Sequence, residues 1–188
     1  MDKTIIIALF GPAGSGKDYL LRSLFDNKEK LIDAYDNISE IISQTTRPPR
    51  DNEQDGVNYY FKTKEQFLKD IEDNNLLEWT TFRDWYYGTN FHAMNMDAIN
   101  IGVFNVTGIQ TLLEDSRVKV IPVAVTASPK TRLIRQLTRE ENPDIREIFR
   151  RYDADERDFS FIDFNYTVLK NENDSDALRE LADLINSL

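Results

Sequence analysis

The sequence has no cysteine and a single histidine, His92, among its 188 residues. Without thiols the chain can form neither a disulfide nor a thiolate metal site, and one imidazole cannot build a multi-histidine zinc centre. The lack of cysteine fits a reducing compartment, and we expect a cytoplasmic protein. It also leaves no convincing nucleophile of the Cys or His type, so the chemistry has to be sought elsewhere.

Long apolar runs and positive charge are also scarce. No apolar stretch approaches the roughly 20 residues that span a bilayer, and the N-terminus lacks the features of a secretory signal. Acidic residues outnumber lysine and arginine by 33 to 23, which gives a formal net charge of -10. This balance argues against a nucleic-acid or membrane partner, so any anion site in the chain must be local.

What the chain does have is a glycine-rich stretch between an apolar run at 4–10 and a helix-periodic segment at 18–25. It consists of Gly11, Pro12, Ala13, Gly14, Ser15, Gly16 and Lys17. Glycines let backbone N–H groups turn inward around an anion, the following helix directs its positive end there, and the lysine adds a full charge. The stretch therefore predicts a strand, a triphosphate-binding loop and a helix.

Asp18 stands where this motif has a Ser or Thr that contacts magnesium. We hypothesise that its carboxylate restores a contact to Mg²⁺, directly or through water, because this ion prefers oxygen ligands. The alternative is that Asp18 caps the helix and interacts with its dipole.

The rest of the chain alternates apolar strand patterns with helical patterns, which predicts one α/β domain over 1–188 with a doubly wound parallel sheet. We expect a core at 1–40, 91–127 and 159–188, with a small mixed α/β insertion at 41–90. The predicted strands are 4–10, 41–46, 59–61, 76–82, 101–106, 118–125 and 166–169. The predicted helical segments are 18–25, 64–74, 91–99, 109–113, 143–157, 177–188 and one that begins at Pro129; a polar turn is expected at 51–56.

Two groups of arginines could bind further phosphates. Arg47 and Arg50 are held apart by two prolines and flanked by Tyr59 and Tyr87, an arrangement that suits a phosphate, although a solvated loop would have the same composition. The second group consists of Arg135, Arg139, Arg150 and Arg151. In the helix after Pro129 we expect Leu133, Ile134 and Leu137 to face inward and Arg132, Arg135 and Arg139 to lie on the remainder, where they could also be ordinary surface charge.

Over its whole length the sequence resembles the guanylate kinases. The motifs that carry the resemblance are the loop 11–17, the segment 43–50 (Ser-Gln-Thr-Thr-Arg-Pro-Pro-Arg), Asp55–Tyr59, Leu77–Trp79 and Tyr86–Thr89. The resemblance implies a P-loop nucleoside monophosphate kinase with a helical lid at 128–158. It implies that the loop, with Asp18, Tyr19 and Asn171, binds ATP. It further implies that Arg47, Arg50, Tyr59 and Tyr87 hold the acceptor's monophosphate and that Ser43, Glu78 and Thr89 face its base.

The later half departs from the family's pattern. Asn105 and Thr107 stand where guanylate kinases carry two aspartates, in a region that binds the base and supports the metal, and we place Asn105 in the acceptor site. In the lid, Arg135, Arg139 and Arg151 fall near the family's arginines. Together with Lys17 and Arg47 they are the expected catalytic residues, because phosphoryl transfer to an already anionic oxygen needs positioning and charge neutralisation rather than a general base.

The expected reaction is transfer of the γ-phosphoryl of ATP, with Mg²⁺, to GMP or dGMP. Two alternatives stay open: a deoxynucleoside monophosphate kinase with a different or broader base preference, and a guanylate-kinase-like module that binds protein partners without catalysis. The sequence leaves the oligomeric state, monomer or dimer, undecided.

Overall fold

The computed structural model describes residues 3–51, 53–139 and 141–188. The strands are β1 Thr4–Phe10, β2 Ile38–Glu40, β3 Gln44–Thr45, β4 Tyr60–Phe61, β5 Leu76–Phe82, β6 Trp85–Asn90, β7 Ile99–Val103, β8 Val118–Thr126 and β9 Thr167–Lys170. The helices are α1 Lys17–Asp26, α2 Lys28–Leu31, α3 Lys64–Glu72, α4 Val106–Glu114, α5 Pro129–Thr138, α6 Ile145–Asp158 and α7 Asp174–Asn186. Short 3-10 turns occupy Tyr35–Asn37 and Phe91–Ala93.

A five-stranded sheet has the order β2-β7-β1-β8-β9. The pairs β2–β7 and β8–β9 are parallel, with Ile38 opposite Ile99 and Val125 opposite Leu169. The last five residues of β1, Ile6 to Phe10, are fully buried. A continuous apolar run of this kind is typical of a strand covered on both faces, so the expected parallel α/β sheet is confirmed.

A second sheet lies within residues 44–90 and has the order β4-β3-β6-β5. Strands β5 and β6 form an antiparallel hairpin whose turn contains Arg83, a non-glycine residue with a φ of 55°. Helix α3 begins with a capping box, in which the Thr63 hydroxyl accepts from Gln66 N and the Gln66 side chain accepts from Thr63 N. Its Phe67 is fully buried. These elements lie within residues 41–90, the segment that the sequence predicts to be a mixed α/β insertion.

Several predicted element boundaries were wrong. The strand expected at 41–46 shrinks to β3, which covers only Gln44–Thr45. Strand β2, which pairs in the larger sheet, lies before it at Ile38–Glu40 and was not predicted. The helix expected at 91–99 is a single 3-10 turn, and β7 and α4 both begin earlier than predicted. Strand β6 was missed altogether. The polar turn expected at 51–56 includes residue 52, which lies outside the described residues.

Packing divides the chain into two compact units. The first comprises Met1–Ile7, Asp36–Gly102 and Thr107–Val120 and contains the four-stranded sheet with α3. The second comprises Ala8–Tyr35, Val103–Val106 and Ile121–Leu188 and contains the glycine-rich loop with α1, α5, α6 and α7. Of the described helices, none combines the length and the apolar character that a membrane span requires.

Candidate active site

The glycine-rich loop in the second unit joins β1 to α1, as the sequence predicts. Gly14 and Gly16 have φ angles of 78° and 88°, in the left-handed region that favours glycine. Both are also crowded: a Cβ on Gly14 would lie 2.5 Å from the backbone oxygen of Arg132, and one on Gly16 would lie 2.5 Å from Asn171 Nδ2. The loop therefore needs glycine for its backbone conformation and for its close packing.

Lys17 and Asp18 open α1. The Lys17 side chain is 19% exposed and its Nζ lies 4.0 Å from Asp18 Oδ2, whereas the Asp18 side chain is 83% exposed. The N-cap of the helix is Gly16, with no side-chain cap bond. Asp18 is thus a first-turn acid that interacts with the helix dipole and is not the cap residue itself.

Arg135 and Asn171 form hydrogen bonds with the backbone of the glycine-rich loop. The carbonyl oxygen of Ser15 accepts from Arg135 Nη1 at 3.2 Å and from Asn171 Nδ2 at 2.9 Å. Arg135 also donates to the backbone oxygen of Asn171 and to Asp174. Among the described residues, Ser15 Oγ and Asn171 Oδ1 are the buried side-chain atoms that lack a hydrogen-bond partner. Sequence-predicted residues from three segments therefore meet at this loop.

Arg132 and Asp155 also reach the loop, and the sequence did not predict either contact. Arg132 Nε donates to Ala13 O at 3.1 Å, and Ala13 N donates to Asp155 Oδ2 at 2.7 Å. The same carboxylate oxygen accepts from Arg132 Nη2 at 2.9 Å. The expected inner face of α5 was wrong in this respect: Arg132 is 5% exposed, whereas Ile134 is 49% exposed. The sequence feature that could have indicated the contact of Arg132 with the loop is its spacing of three residues from Arg135, which places both arginines on one side of the helix.

The remaining arginines of the second predicted group are exposed. Arg139 follows α5 as an exposed residue. Arg150 and Arg151 are about half exposed and both pair with Glu147, one turn earlier on α6. These two hydrogen-bonded arginines lower the pKa of Glu147 to about 2.

In the first unit, Arg47 forms the centre of a small polar cluster. Its side chain is buried, donates to Pro48 O and to Glu53 Oε1 at 2.8 Å each, and lies over the ring of Tyr59 at 5.5 Å. The Tyr59 ring in turn contacts that of Tyr87 edge to face. The hydrogen bond to Glu53 is the largest of the effects that raise the pKa of Arg47.

Glu53 also accepts from the backbone N of Arg50 at 2.9 Å, so one carboxylate organises the whole Arg-Pro-Pro-Arg segment. Arg50 itself is exposed. From the sequence, Glu53 was predicted only as part of a polar turn at 51–56. Its offset of three residues from Arg50 and six from Arg47 was the signal that could have identified it.

Glu78 and Thr89 face each other across the β5–β6 hairpin. Thr89 Oγ1 donates to Glu78 Oε1 at 2.7 Å. Thr89 is 1% exposed and Glu78 is 7% exposed. Burial raises the pKa of Glu78 to about 7, and the hydrogen bond from Thr89 offsets part of that rise. Ser43 precedes β3, and its backbone oxygen accepts from Tyr60 N. Asn105 lies between β7 and α4, in the second unit.

Among residues 3–51, 53–139 and 141–188, no group of three or more His, Cys, Asp or Glu side chains is placed to bind a metal ion. Magnesium is commonly held by one or two carboxylates together with substrate phosphates. The exposed carboxylate of Asp18, in the first turn after the loop, fits that second arrangement.

A phosphate loop on a parallel α/β sheet, with arginines from α5 at the same loop, is the construction of a P-loop phosphotransferase. The family model for guanylate kinase matches residues 1–188. The chain therefore belongs to the guanylate kinase family and is a kinase.

Curated relatives and a solved structure agree with this assignment. The chain is 30% identical over 172 residues to a guanylate kinase of Campylobacter jejuni, covering 89% of this chain and 81% of that protein. It is 32% identical over 177 residues to a guanylate kinase of Helicobacter hepaticus, covering 92% and 85%. The crystal structure of guanylate kinase from Anaplasma phagocytophilum has the same fold, with a TM-score of 0.70 at 18% identity over 100% of this chain and 87% of that one.

Proposed function

We propose that the chain transfers the γ-phosphoryl group of ATP to the phosphate of GMP or dGMP. An oxygen of the monophosphate attacks the γ-phosphorus, and the bond from that phosphorus to the bridging oxygen breaks to release ADP. The attacking oxygen is already anionic near neutral pH, so no proton has to be removed. The observation that carries the proposal is the buried Glu78–Thr89 pair within a chain of this family.

Glu78 is suited to read guanine. An ionised carboxylate accepts hydrogen bonds from two adjacent donors, the N1–H and the exocyclic amine of guanine, whereas adenine presents a bare acceptor at N1. A buried acceptor that loses its partners is costly, which is how such a site discriminates between bases. Thr89 orients the Glu78 carboxyl, and we assign Ser43 and Asn105 to the same base site.

Arg47 and Arg50, with Tyr59 and Tyr87, are proposed to hold the acceptor's phosphate. A guanidinium has five N–H donors in a planar fork, and Arg47 retains donors beyond those directed at Pro48 O and Glu53. Glu53 keeps the Arg47 side chain in place and in its charged form, which supports the role of Arg47 as a preorganised phosphate ligand.

The donor is proposed to bind at residues 11–17 together with Asp18, Tyr19 and Asn171. Inward N–H groups and Lys17 match the charge of a triphosphate, and the unpartnered Asn171 Oδ1 is an acceptor that would complement the amine of adenine. Arg135, Arg139 and Arg151 are proposed to neutralise the transferring group when the lid at 128–158 adopts its working position. We further propose that the segment 41–90 is the insertion that binds the monophosphate. The segments 1–40, 91–127 and 159–188 would then form the core.

Mg²⁺ is the proposed cofactor, and Asp18 is the residue that would contact it. When bound, the ion neutralises charge on the triphosphate. The proposed partners are thus ATP and a guanosine monophosphate, and we propose that the activity is cytoplasmic.

A coupled ADP-release assay over all common ribo- and deoxyribonucleoside monophosphates tests the proposal. GMP and dGMP should stimulate ADP release above the other acceptors. Lys17→Ala should lower turnover about 100-fold or more with every acceptor, because it removes charge stabilisation from the transferring group, while Lys30→Ala on the exposed surface should not. Higher rates with dTMP or dCMP would contradict the role of Glu78, and no stimulation by any monophosphate would favour a binding module without catalysis.

A further inference from the structure

The Asp155 carboxylate occupies an anion position on the phosphate loop. Its Oδ2 accepts from a loop backbone group, Ala13 N, and from the guanidinium of Arg132, at 2.7 and 2.9 Å. Backbone N–H groups of this loop and an arginine fork are the donors that proteins direct at phosphate oxygens. A side-chain carboxylate presents the same charge and the same acceptor geometry to them.

The two donors are held in place independently of Asp155. Arg132 is 5% exposed, its Nε donates to Ala13 O, and its guanidinium lies 4.6 Å from the centre of the Tyr152 ring. The backbone of Arg132 is also so near the loop that a Cβ on Gly14 would meet its oxygen at 2.5 Å. Removing the carboxylate would therefore leave a formed anion position with two donors.

We propose that the position formed by Ala13 N–H and Arg132, filled by Asp155 in this structure, receives a phosphate oxygen of ATP during turnover. Asp155 is then an internal competitor of the nucleotide, and Arg132 is a further ligand of its phosphates. The inference rests on the proposed function, because it takes ATP as the ligand of the loop. It adds that each binding event exchanges one anion for another at the same donors.

The negative charges of Asp155 and of the triphosphate explain why the carboxylate has to leave when ATP binds. A carboxylate that remained beside an incoming triphosphate would repel it at short range, in a partly buried setting where water screens poorly. Asp155 lies on α6, and its withdrawal would free both donors at once. A purely structural tie between α6 and the loop is the competing explanation, and it makes the opposite prediction for ATP binding.

The test measures equilibrium binding of a non-hydrolysable ATP analogue, without acceptor, to the 188-residue chain and its variants. Asp155→Asn should bind the analogue about tenfold more tightly than the wild type, roughly the effect of one charge-assisted hydrogen bond. Asp153→Asn, the same charge change on an exposed residue of α6, is the matched control and should bind as the wild type does. Asp155→Ala places a good helix former in the middle of α6 and is the second variant should the amide disturb folding.

A second comparison isolates Arg132. Arg132→Lys in the Asp155→Asn background should weaken analogue binding about tenfold, because a lysine lacks the planar fork. If Arg132 only anchors Asp155, the double variant should bind the analogue as tightly as Asp155→Asn alone. That result would show that Arg132 is not a phosphate ligand. Equal or weaker binding by both Asp155 variants, with normal binding by the wild type, overturns the exchange and leaves the kinase function intact. Failure of the wild type and of every variant to bind overturns both.

Discussion

At the scale of single residues, the most informative group is the carboxyl of Glu78. Its pKa in the fold is about 7 against an ordinary value of 4.5, and burial is the main cause. The folded chain therefore loses stability as the pH rises from about 4.5, where the unfolded chain begins to ionise, and the loss is complete above about 7. The shift corresponds to a cost on the order of 3 kcal/mol at pH 8. A fold that keeps such a group has a use for it, and base recognition is that use in our proposal.

The raised pKa of Glu78 predicts that GMP binds more weakly in acid. Only the ionised carboxylate can accept from both donors of guanine, so the apparent dissociation constant should rise roughly tenfold for each pH unit below about 7. Titrations of the protein with GMP between pH 5.5 and 8.5 measure this.

The phosphate of GMP also titrates, near pH 6, so a control is needed. Glu78→Gln keeps the phosphate's contribution and removes that of the carboxyl. We expect its pH profile to be shallower than that of the wild type and its affinity for GMP at pH 8 to be lower. Identical profiles would show that Glu78 does not bind the base.

Some residues of the candidate site could be predicted from the sequence and others could not. The loop 11–17 was predicted from its glycine spacing, whereas the roles predicted for Glu78 and Thr89 came from the resemblance to the guanylate kinases. The contacts of Asp155 and Glu53 were not predicted, since each acts by pairing with a backbone group or an arginine, and nothing in a local pattern shows which of many acidic residues will do so. Arg132 was placed on the wrong side of its helix because helical periodicity favours apolar residues for the interior, whereas here an arginine is buried by its hydrogen bonds.

At the scale of elements, α3 supports the sheet that carries Glu78 and Thr89. Its Phe67 is buried beneath β6, where a Cβ on Gly88 would lie 3.1 Å from the Phe67 ring. The helix has nine residues, too few to be stable alone, so it depends on this packing and on its cap.

The capping box of α3 gives a prediction at this scale. Thr63→Ala should lower the free energy of unfolding by about 1 kcal/mol, because the hydroxyl that satisfies Gln66 N is lost. Denaturant unfolding followed by circular dichroism measures the change. Thr63→Ser keeps the hydroxyl and should stay within a few tenths of a kcal/mol of the wild type; a loss as large as that of Thr63→Ala would mean that the methyl group, not the cap, stabilises the helix.

The elements show the same division between what was and was not predictable. The long strands β1 and β8 and the amphipathic helices α5 to α7 were predicted because their patterns extend over several residues. Strand β6 was missed although Trp85–Tyr87 suit a strand, because its pairing with β5 and β3 is tertiary information. The short β2 was missed and β3 was predicted too long, since three and two residues are too few to show a period.

At the scale of the whole molecule, a chain with a net charge of -10 binds two highly anionic ligands in our proposal. Its attraction for them must come from local arrangements such as Lys17 with the loop and Arg47 with its tyrosines, against an unfavourable overall field. Two such arrangements at different places imply two separable binding events.

Ligand-induced stabilisation measures these events one at a time. At about 100 times its dissociation constant, each ligand alone should add about 2.7 kcal/mol to the stability of the wild type. Thermal unfolding with GMP should lose its shift in Arg47→Ala and keep it in Lys17→Ala, and the reverse should hold for a non-hydrolysable ATP analogue. If Arg47→Ala instead lost the ATP shift alone, the two sites would have been exchanged.

The hydrogen bonds at Ser15 O join segments that lie far apart in the sequence. The acceptor is residue 15 and the donors belong to Arg135 and Asn171, which lies 156 positions later. During synthesis the glycine-rich loop leaves the ribosome long before Arg135 and Asn171, the residues that fix its shape. Contacts this distant in sequence form late because a long loop has to close first. The ability to bind ATP should therefore be acquired only after residue 171 has been made, and a nascent chain that stops before β9 would contain the complete motif without the groups that fix its shape.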